Sequence, residues 1–257
     1  MQRIRPAACA GTFYPGEANA LKTMLSTMLE DAEDSPVEAE ALIVPHAGFI
    51  YSGAVAASAY ARISGFEKVV LRGPAHRIPF MGIAYPESDA FETPCGRVKI
   101  APLSELGEIP GLMKSELAHA YEHSLEVQLP FLHAVLGEFT LIPLLVGGAS
   151  AVQVSATIER FLGEPGTLVV VSSDLSHFHC YEEARRIDSA TASSILSLEP
   201  GLDHERACGA IPVNALLHAS RKRGLAPNLL DMKNSGDTAG DRNRVVGYAS
   251  FSFSRRT

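Results

Sequence analysis

The sequence lacks the features that mark several classes of protein. Its only four cysteines, Cys9, Cys95, Cys180 and Cys208, lie far apart in a chain of 257 residues, so we expect no disulfide framework and a reducing compartment. No apolar run is long enough to span a bilayer, and no signal-peptide core follows the first residues. These absences predict a cytoplasmic protein that does not enter a membrane.

Positive charge is also scarce. Lysine and arginine number 22 against 29 aspartate and glutamate residues, which gives a net charge of −7. Basic residues form only short runs, such as residues 221–223 and 255–256, and this balance predicts that nucleic acid is not a partner. The sequence contains no nucleophile elbow, P-loop or dinucleotide fingerprint, so none of these familiar sites is expected.

What the chain does contain is an alternation of strands and helices. Apolar runs at residues 41–44, 68–71 and 168–171 have the composition of strands buried on both faces. Apolar residues at helical spacing occupy other segments, such as residues 17–31 and 152–162. The alternation predicts an α/β fold in which a mostly parallel sheet lies between two layers of helices. We expect one domain over residues 1–257.

Four local predictions follow from capping and breaking residues. Ser52 is a plausible N-cap for the helix after the strand at residues 41–44. A helix that begins near residue 121 must kink or restart at Pro130. Cys208 opens a last helix that runs to about Arg223. Two strands, near residues 228–233 and 245–253, close the chain.

A histidine follows each of the three buried strands, namely His46, His76 and His177. Ligands in open α/β sheets bind beyond the carboxyl ends of the strands, so these side chains should converge on one pocket. Two imidazoles suit zinc, copper, iron or nickel, and a further anionic ligand is usually needed. A single histidine at a strand end is more often a hydrogen-bonding loop residue than a ligand, and the repeated pattern makes a metal site an equal alternative to that structural role. The histidines at positions 119, 133, 204 and 218 are interpreted as surface or structural residues.

Candidates for the further ligand are Asp174, Asp237, Glu122 and Cys208. A thiol at a helix start has a lowered pKa because of the helix dipole, although Cys208 also fits the role of a small buried apolar residue. Asp174 is better interpreted as a group that orients an imidazole or a ligand. A hydrolytic triad with Ser173 is disfavoured, because adjacent residues of an extended strand point to opposite faces.

Several motifs together resemble a known family, the Memo family, whose bacterial and archaeal members are called AmmeMemoRadiSam system protein B. The match extends from residues 5–7 to residues 245–248. The motifs are Pro-His-Ala-Gly-Phe-Ile-Tyr-Ser-Gly at residues 45–53, Gly-Pro-Ala-His at 73–76, Phe-Glu-Thr-Pro-Cys-Gly at 91–96, Glu-His-Ser-Leu-Glu at 122–126, Ser-Ser-Asp-Leu-Ser-His at 172–177 and Cys-Gly-Ala-Ile-Pro at 208–212.

The resemblance implies a fold shared with LigB-type extradiol dioxygenases. It also implies that His46, His76 and Cys208 bind a metal ion, that His177 stands at the position of the dioxygenase base, and that His123 is a further pocket histidine. Dioxygenases of this type have a carboxylate where this chain has Cys208. A thiolate favours copper(I), zinc or a differently tuned iron.

Three hypotheses about function follow. The first is a metal-dependent, oxidoreductase-like protein that uses iron or copper on a small substrate, with His177 as acid and base and with Asp174 and His123 shaping the pocket. The second is a binding module whose cleft holds a peptide or a partner protein. The third is a zinc hydrolase. The resemblance further implies a functional association with a radical-SAM protein and an AMMECR1-like protein.

Overall fold

The computed structural model describes residues 2–32 and 35–255. Twelve strands within these ranges form one mixed β-sheet. The strands are β1 (Ile4–Arg5), β2 (Ala41–Val44), β3 (Lys68–Pro74), β4 (Ile83–Tyr85), β5 (Ala90–Thr93), β6 (Gly96–Ile100), β7 (Leu112–Lys114), β8 (Thr140–Val146), β9 (Thr167–Ser172), β10 (His177–His179), β11 (Leu225–Asn234) and β12 (Val245–Arg255).

The middle of the sheet is parallel. Strands β8, β3, β9 and β2 lie side by side in that order, and Val70 of β3 stands opposite Ile142 of β8 and Val169 of β9. Every residue of β2 and β9 is buried, as the apolar composition of these strands predicts. Beyond β2 the sheet continues in antiparallel fashion through β12, which also pairs with β10 and β11. The predicted α/β class with its central parallel strands is confirmed.

Helices cover both faces of this sheet. Ser172, the last residue of β9, bonds Gln128 just before one helix, whereas the next residue, Ser173, bonds Gly209 just before another. Consecutive side chains of an extended chain point to opposite faces, so these two helices lie on opposite sides. The helices are α1 (Ala18–Asp31), α2 (Phe49–Tyr60), α3 (Glu116–Ala120), α4 (His123–Glu126), α5 (Leu129–Leu136), α6 (Ala151–Glu159), α7 (Tyr181–Leu196) and α8 (Ala210–Arg223).

The two helical layers bury one contiguous apolar core against the sheet. Helices α1, α2 and α5 pack together on one face, and α6 packs against α8 on the other. All four cysteines are unpaired, as predicted. Within the described ranges, none of the helices combines the length and the apolar character that crossing a bilayer requires.

The local predictions have mixed outcomes. Pro130 is the second residue of α5, so the chain restarts a helix there after α4, as predicted. The N-cap of α2 is Gly48 rather than Ser52, which lies inside the helix and donates a hydrogen bond to the carbonyl of Ala47 at 3.0 Å. The last helix begins at Ala210, two residues after Cys208.

Candidate metal centre

The candidate site lies at the carboxyl edge of the parallel strands. His46, His76 and Asp174 each stand two residues beyond the end of a strand, β2, β3 and β9 respectively. The ring centroids of His46 and His76 are 5.3 Å apart. His76 and His177 line the same cavity. The structure therefore brings together the three histidines that follow the buried strands.

A further histidine joins this group. His123 is the first residue of α4, and its ring centroid lies 5.4 Å from that of His46 and 4.7 Å from that of His76. One ligand atom from each of His46, His76 and His123 can be chosen so that all three lie within 4.8 Å of one another, and this group could hold a metal ion. Spacing along the chain could not show that His123 lies here, because it follows no buried strand.

Hydrogen bonds fix the tautomer of His46. Its Nδ1 lies 2.8 Å from Oγ of Ser172, whose hydroxyl proton is donated to the carbonyl of Ser124 at 2.6 Å. Oγ of Ser172 also accepts a hydrogen bond from Nε2 of Gln128, so Nδ1 of His46 must be the donor in its contact. Burial lowers the pKa of His46 to about 4. The ring is therefore neutral at neutral pH, and its Nε2 carries no proton, as a metal ligand requires.

Glu122 contacts the rings of the other two histidines. Its Oε1 lies 3.2 Å from Nδ1 of His76 and 3.1 Å from Nδ1 of His123, although the second contact is poorly aligned for a hydrogen bond. Burial opposes the charge of Glu122, but its contacts to His123 and His76 and the backbone N–H groups it accepts hold the pKa of this carboxyl well below its ordinary value. A buried carboxylate behind metal-binding imidazoles fixes their orientation and raises their basicity.

Asp174 and Cys208 lie against His46. Oδ1 of Asp174 accepts the backbone N–H of His46 at 2.7 Å, and Sγ of Cys208 lies 3.3 Å from Nε2 of His46. Burial, followed by the charge of Asp174, raises the pKa of the Cys208 thiol to about 12. The expectation of a lowered thiol pKa is wrong, because Cys208 precedes α8 by two residues and its burial dominates. Its role as a metal ligand stays a prediction.

His177 lines a cavity of about 860 Å³ together with His76 and Cys208. Its Nδ1 lies 2.9 Å from the carbonyl of Leu175, which can only accept, so Nδ1 carries a proton and Nε2 is left without one in the neutral ring. His204 also lines the cavity, which its interpretation as a surface or structural residue did not anticipate. Asp237 is exposed and bonded to the hydroxyl of Tyr181 at 2.5 Å, so it takes no part in the histidine group.

Comparisons with known proteins extend over nearly the whole chain. A family model described as Memo-like protein matches residues 5–252. A MEMO1 family protein of Aquifex aeolicus is 38% identical, and the alignment covers 98% of this chain and 99% of that protein. A MEMO1 family protein of Methanosarcina acetivorans is 36% identical, with 96% and 98% of the two chains covered.

One solved structure shows a similar fold. The crystal structure of the uncharacterized protein JW3007 from Escherichia coli K12 aligns with a TM-score of 0.56 and 13% sequence identity, covering 82% of this chain and 98% of that chain. Identity this low shows the shared fold alone. The full-length family match and the relatives above 30% identity go further: this chain belongs to the Memo family.

Proposed function

We propose that this protein binds one redox-active metal ion, iron or copper, at the strand ends and uses it to oxidise or reduce a small substrate. The observation that carries this proposal is the cluster of His46, His76 and His123 beside a cavity that His177 lines. Imidazole is a good ligand for iron, copper and zinc, and a thiolate adds affinity for copper(I), zinc and iron.

The residues present fit such an ion. His46 is neutral and directs Nε2 away from Ser172, while His76 turns Nδ1 to Glu122 and thereby leaves Nε2 for a ligand. The carboxylate of Glu122 also supplies a buried negative charge that would offset the charge of the ion. His46 and His76 are the two ligands we assign, and His123 and Cys208 are the candidates for completing the set.

The chain's own residues then have separate roles. Asp174 holds the backbone of His46 in place through Oδ1, so it positions a ligand. His177 carries its proton on Nδ1, so Nε2 can take a proton from a hydroxyl group of a substrate in the cavity and return it later. When bound, iron or copper would supply the electron transfer that no side chain here provides.

Zinc-dependent hydrolysis is a second candidate, and the three-imidazole group favours it. Catalytic zinc sites use three protein ligands, and three histidines are one of the established sets. In that case His177 would serve as the base for the water that attacks the substrate.

Metal analysis of protein purified without oxygen tests the proposal. We expect about one equivalent of iron or copper per chain, lost in the His46→Ala and His76→Ala variants. About one equivalent of zinc would support the hydrolase instead. Failure to retain any ion, in the native host and after reconstitution, would refute both and would favour a peptide-binding or partner-binding module, including one for a radical-SAM or AMMECR1-like partner.

A further inference from the structure

The cavity beside the histidines has walls of a distinct chemical character. With a volume of about 860 Å³ it is large enough for a molecule of several hundred daltons. The cavity lies beside the histidine group, because His76 and Cys208 line it, and the high exposure of Met81 and Phe178 places these two lining residues at its rim. The side chains of these last two residues are 79% and 61% exposed. A molecule in the cavity could therefore bury apolar surface that is now in contact with water.

Apolar side chains form the walls on two sides. The loop after β3 contributes Pro79 and Phe80, and the first turn of α8 contributes Ile211 and Pro212. Val146, the last residue of β8, also lines the cavity. Each methylene group that such walls remove from water strengthens binding about fourfold. The walls therefore favour a ligand whose body is apolar.

The walls offer little to an anion. Among the described residues no lysine or arginine lines the cavity, and the one carboxylate, that of Glu205, is exposed. The N-terminus of α8 faces the cavity, but two of its backbone N–H groups are already hydrogen-bonded. The N–H of Gly209 donates to Oγ of Ser173, and that of Ala210 donates to the carbonyl of Ala207. Pro212 has no N–H. Phosphate groups are normally bound by arginine, lysine, protonated histidine or free helical N–H groups, and of these cationic side chains the described lining of the cavity offers only its histidines.

Phe178 is held at the rim by an unusual backbone. Its φ angle is 64°, a left-handed conformation that bulky residues rarely adopt. The guanidinium of Arg244 lies 4.9 Å above its ring, and the ring of His177 packs edge-on against it at 5.6 Å. These contacts keep an aromatic ring beside the proposed base, where it can determine which ligands enter.

We propose that the cavity binds an electrically neutral molecule with an elongated or bulky apolar body, and that Phe178 and Ile211 determine this specificity. The inference rests on the proposed function only for the polar end of the ligand, which would face His76 and His177. The same walls disfavour phosphorylated molecules and other strong anions as ligands.

Titration calorimetry with simple probes tests this inference whether or not the protein binds a metal ion. Octanamide should bind metal-free protein at least about tenfold more tightly than butanamide, because four more methylene groups become buried. Octyl phosphate should bind at least about tenfold more weakly than octanamide. Equal binding of the two amides, or octyl phosphate binding as tightly as octanamide, would overturn the inference.

Two variants locate the binding in this cavity. Ile211→Glu should weaken octanamide binding about tenfold or more, since it places a carboxylate in the wall. Val152→Glu, at a residue of α6 that is 70% exposed and lies outside the cavity, is the matched control and should bind octanamide normally. If Ile211→Glu does not fold, Phe178→Ala serves instead, because that ring is largely exposed, and it should weaken binding severalfold. Unchanged binding in both cavity variants would refute the assignment.

A separate binding experiment tests the metal proposal on its own. Acetohydroxamate, a small chelator, should bind zinc-loaded protein. If it does not bind while octanamide keeps its advantage over butanamide and octyl phosphate, the metal centre is wrong and the assignment of the cavity holds. If acetohydroxamate binds and octanamide has no advantage, the metal proposal survives and the cavity inference fails.

Discussion

Nε2 of His46 and Sγ of Cys208 lie 3.3 Å apart, although 162 positions separate the two residues in the chain. The distance is short because His46 follows β2, Cys208 precedes α8, and Asp174 after β9 contacts both of them. In the absence of a metal ion the thiol, with its pKa raised to about 12 by burial and by Asp174, is protonated. Any metal ion that recruits Cys208 must therefore displace a proton.

Removing the charge of Glu122 should weaken metal binding without unfolding the protein. The Glu122→Gln variant keeps the shape of the side chain and one of the two oxygens that accept the backbone N–H groups of His76 and His123, but it loses the negative charge that faces both rings. We expect metal affinity to fall about 10–100-fold. The exposed Glu182→Gln is the control and should leave affinity unchanged. Equal affinities in the two variants, measured by competition with a chelator, would show that Glu122 does not support the ligands.

The Ser172→Ala variant should destabilise the fold. It leaves Nδ1 of His46 buried without an acceptor and removes one acceptor from Gln128. An unsatisfied buried donor costs about 1–3 kcal/mol, which urea denaturation can measure. Ser193→Ala removes an exposed hydroxyl on α7 and should change the free energy of unfolding by less than about 0.5 kcal/mol. Equal stability of both variants would contradict the hydrogen bonds assigned to the Ser172 hydroxyl.

A buried ion pair ties the N-terminal segment to the site. Glu126 bonds Arg5 at 2.6 Å and also accepts the hydroxyl of Tyr14, and Phe13 in the same segment packs against His123 at 4.8 Å. Glu126→Gln leaves the Arg5 charge buried, so we expect a loss of about 3–5 kcal/mol in the free energy of unfolding.

The exposed pair between Arg3 and Glu87 provides the control for that variant. Both side chains are well exposed, 62% and 44%, so Glu87→Gln should cost less than about 1 kcal/mol. Urea denaturation measures the loss in the free energy of unfolding for both variants. Comparable losses in Glu126→Gln and Glu87→Gln would mean that the buried pair stabilises the fold no more than the exposed pair does.

Mild acid should destabilise the metal-free protein. Burial lowers the pKa of His46 and of His119 to about 4, whereas both titrate near 6.5 in the unfolded chain. Between these values the unfolded state binds more protons, so stability is fully present above pH 6.5 and is lost as the pH falls towards 4. We expect the free energy of unfolding to fall by on the order of 3 kcal/mol between pH 7 and pH 5.

A histidine variant separates this effect from that of carboxylates. His119→Gln keeps a donor for the carbonyl of Ala84, which Nε2 of His119 contacts at 3.0 Å, but it removes one titrating group. The difference in stability between pH 7 and pH 5 should shrink by about half. A wild-type stability that does not change over this range would show that the buried histidines are not kept neutral by burial.

Much of the fold follows from the sequence alone. The apolar β-branched runs are long enough, and the helical spacing between them clear enough, to predict the central strands and most of the helices. The helix predicted at residues 17–31 agrees within a residue with α1 (Ala18–Asp31), and the strand predicted at residues 168–171 agrees within a residue with β9 (Thr167–Ser172). Short elements such as β7 and β10 carry too few residues to give a pattern, and they form because tertiary contacts hold them.

The site was only partly predictable. Strand ends converge in a parallel sheet, so the positions of His46, His76 and His177 follow from topology. The contacts of Glu122 with two imidazoles do not, because α4 is a four-residue helix whose placement depends on packing. The burial of Cys208 is likewise a tertiary property, and it reverses the pKa shift that a helix start would suggest.

The central claim is that His46 and His76 hold a metal ion, and a calorimetric titration of metal into metal-free protein tests it most directly. Wild-type protein should bind one ion per chain, and His76→Ala should lose that binding while the exposed His218→Ala keeps it. Repeating the titration at pH 7.5 in buffers of different protonation enthalpy counts released protons, and wild-type protein should release one more than Cys208→Ser if the thiolate is a ligand. Unchanged stoichiometry and affinity in both His46→Ala and His76→Ala would contradict the account.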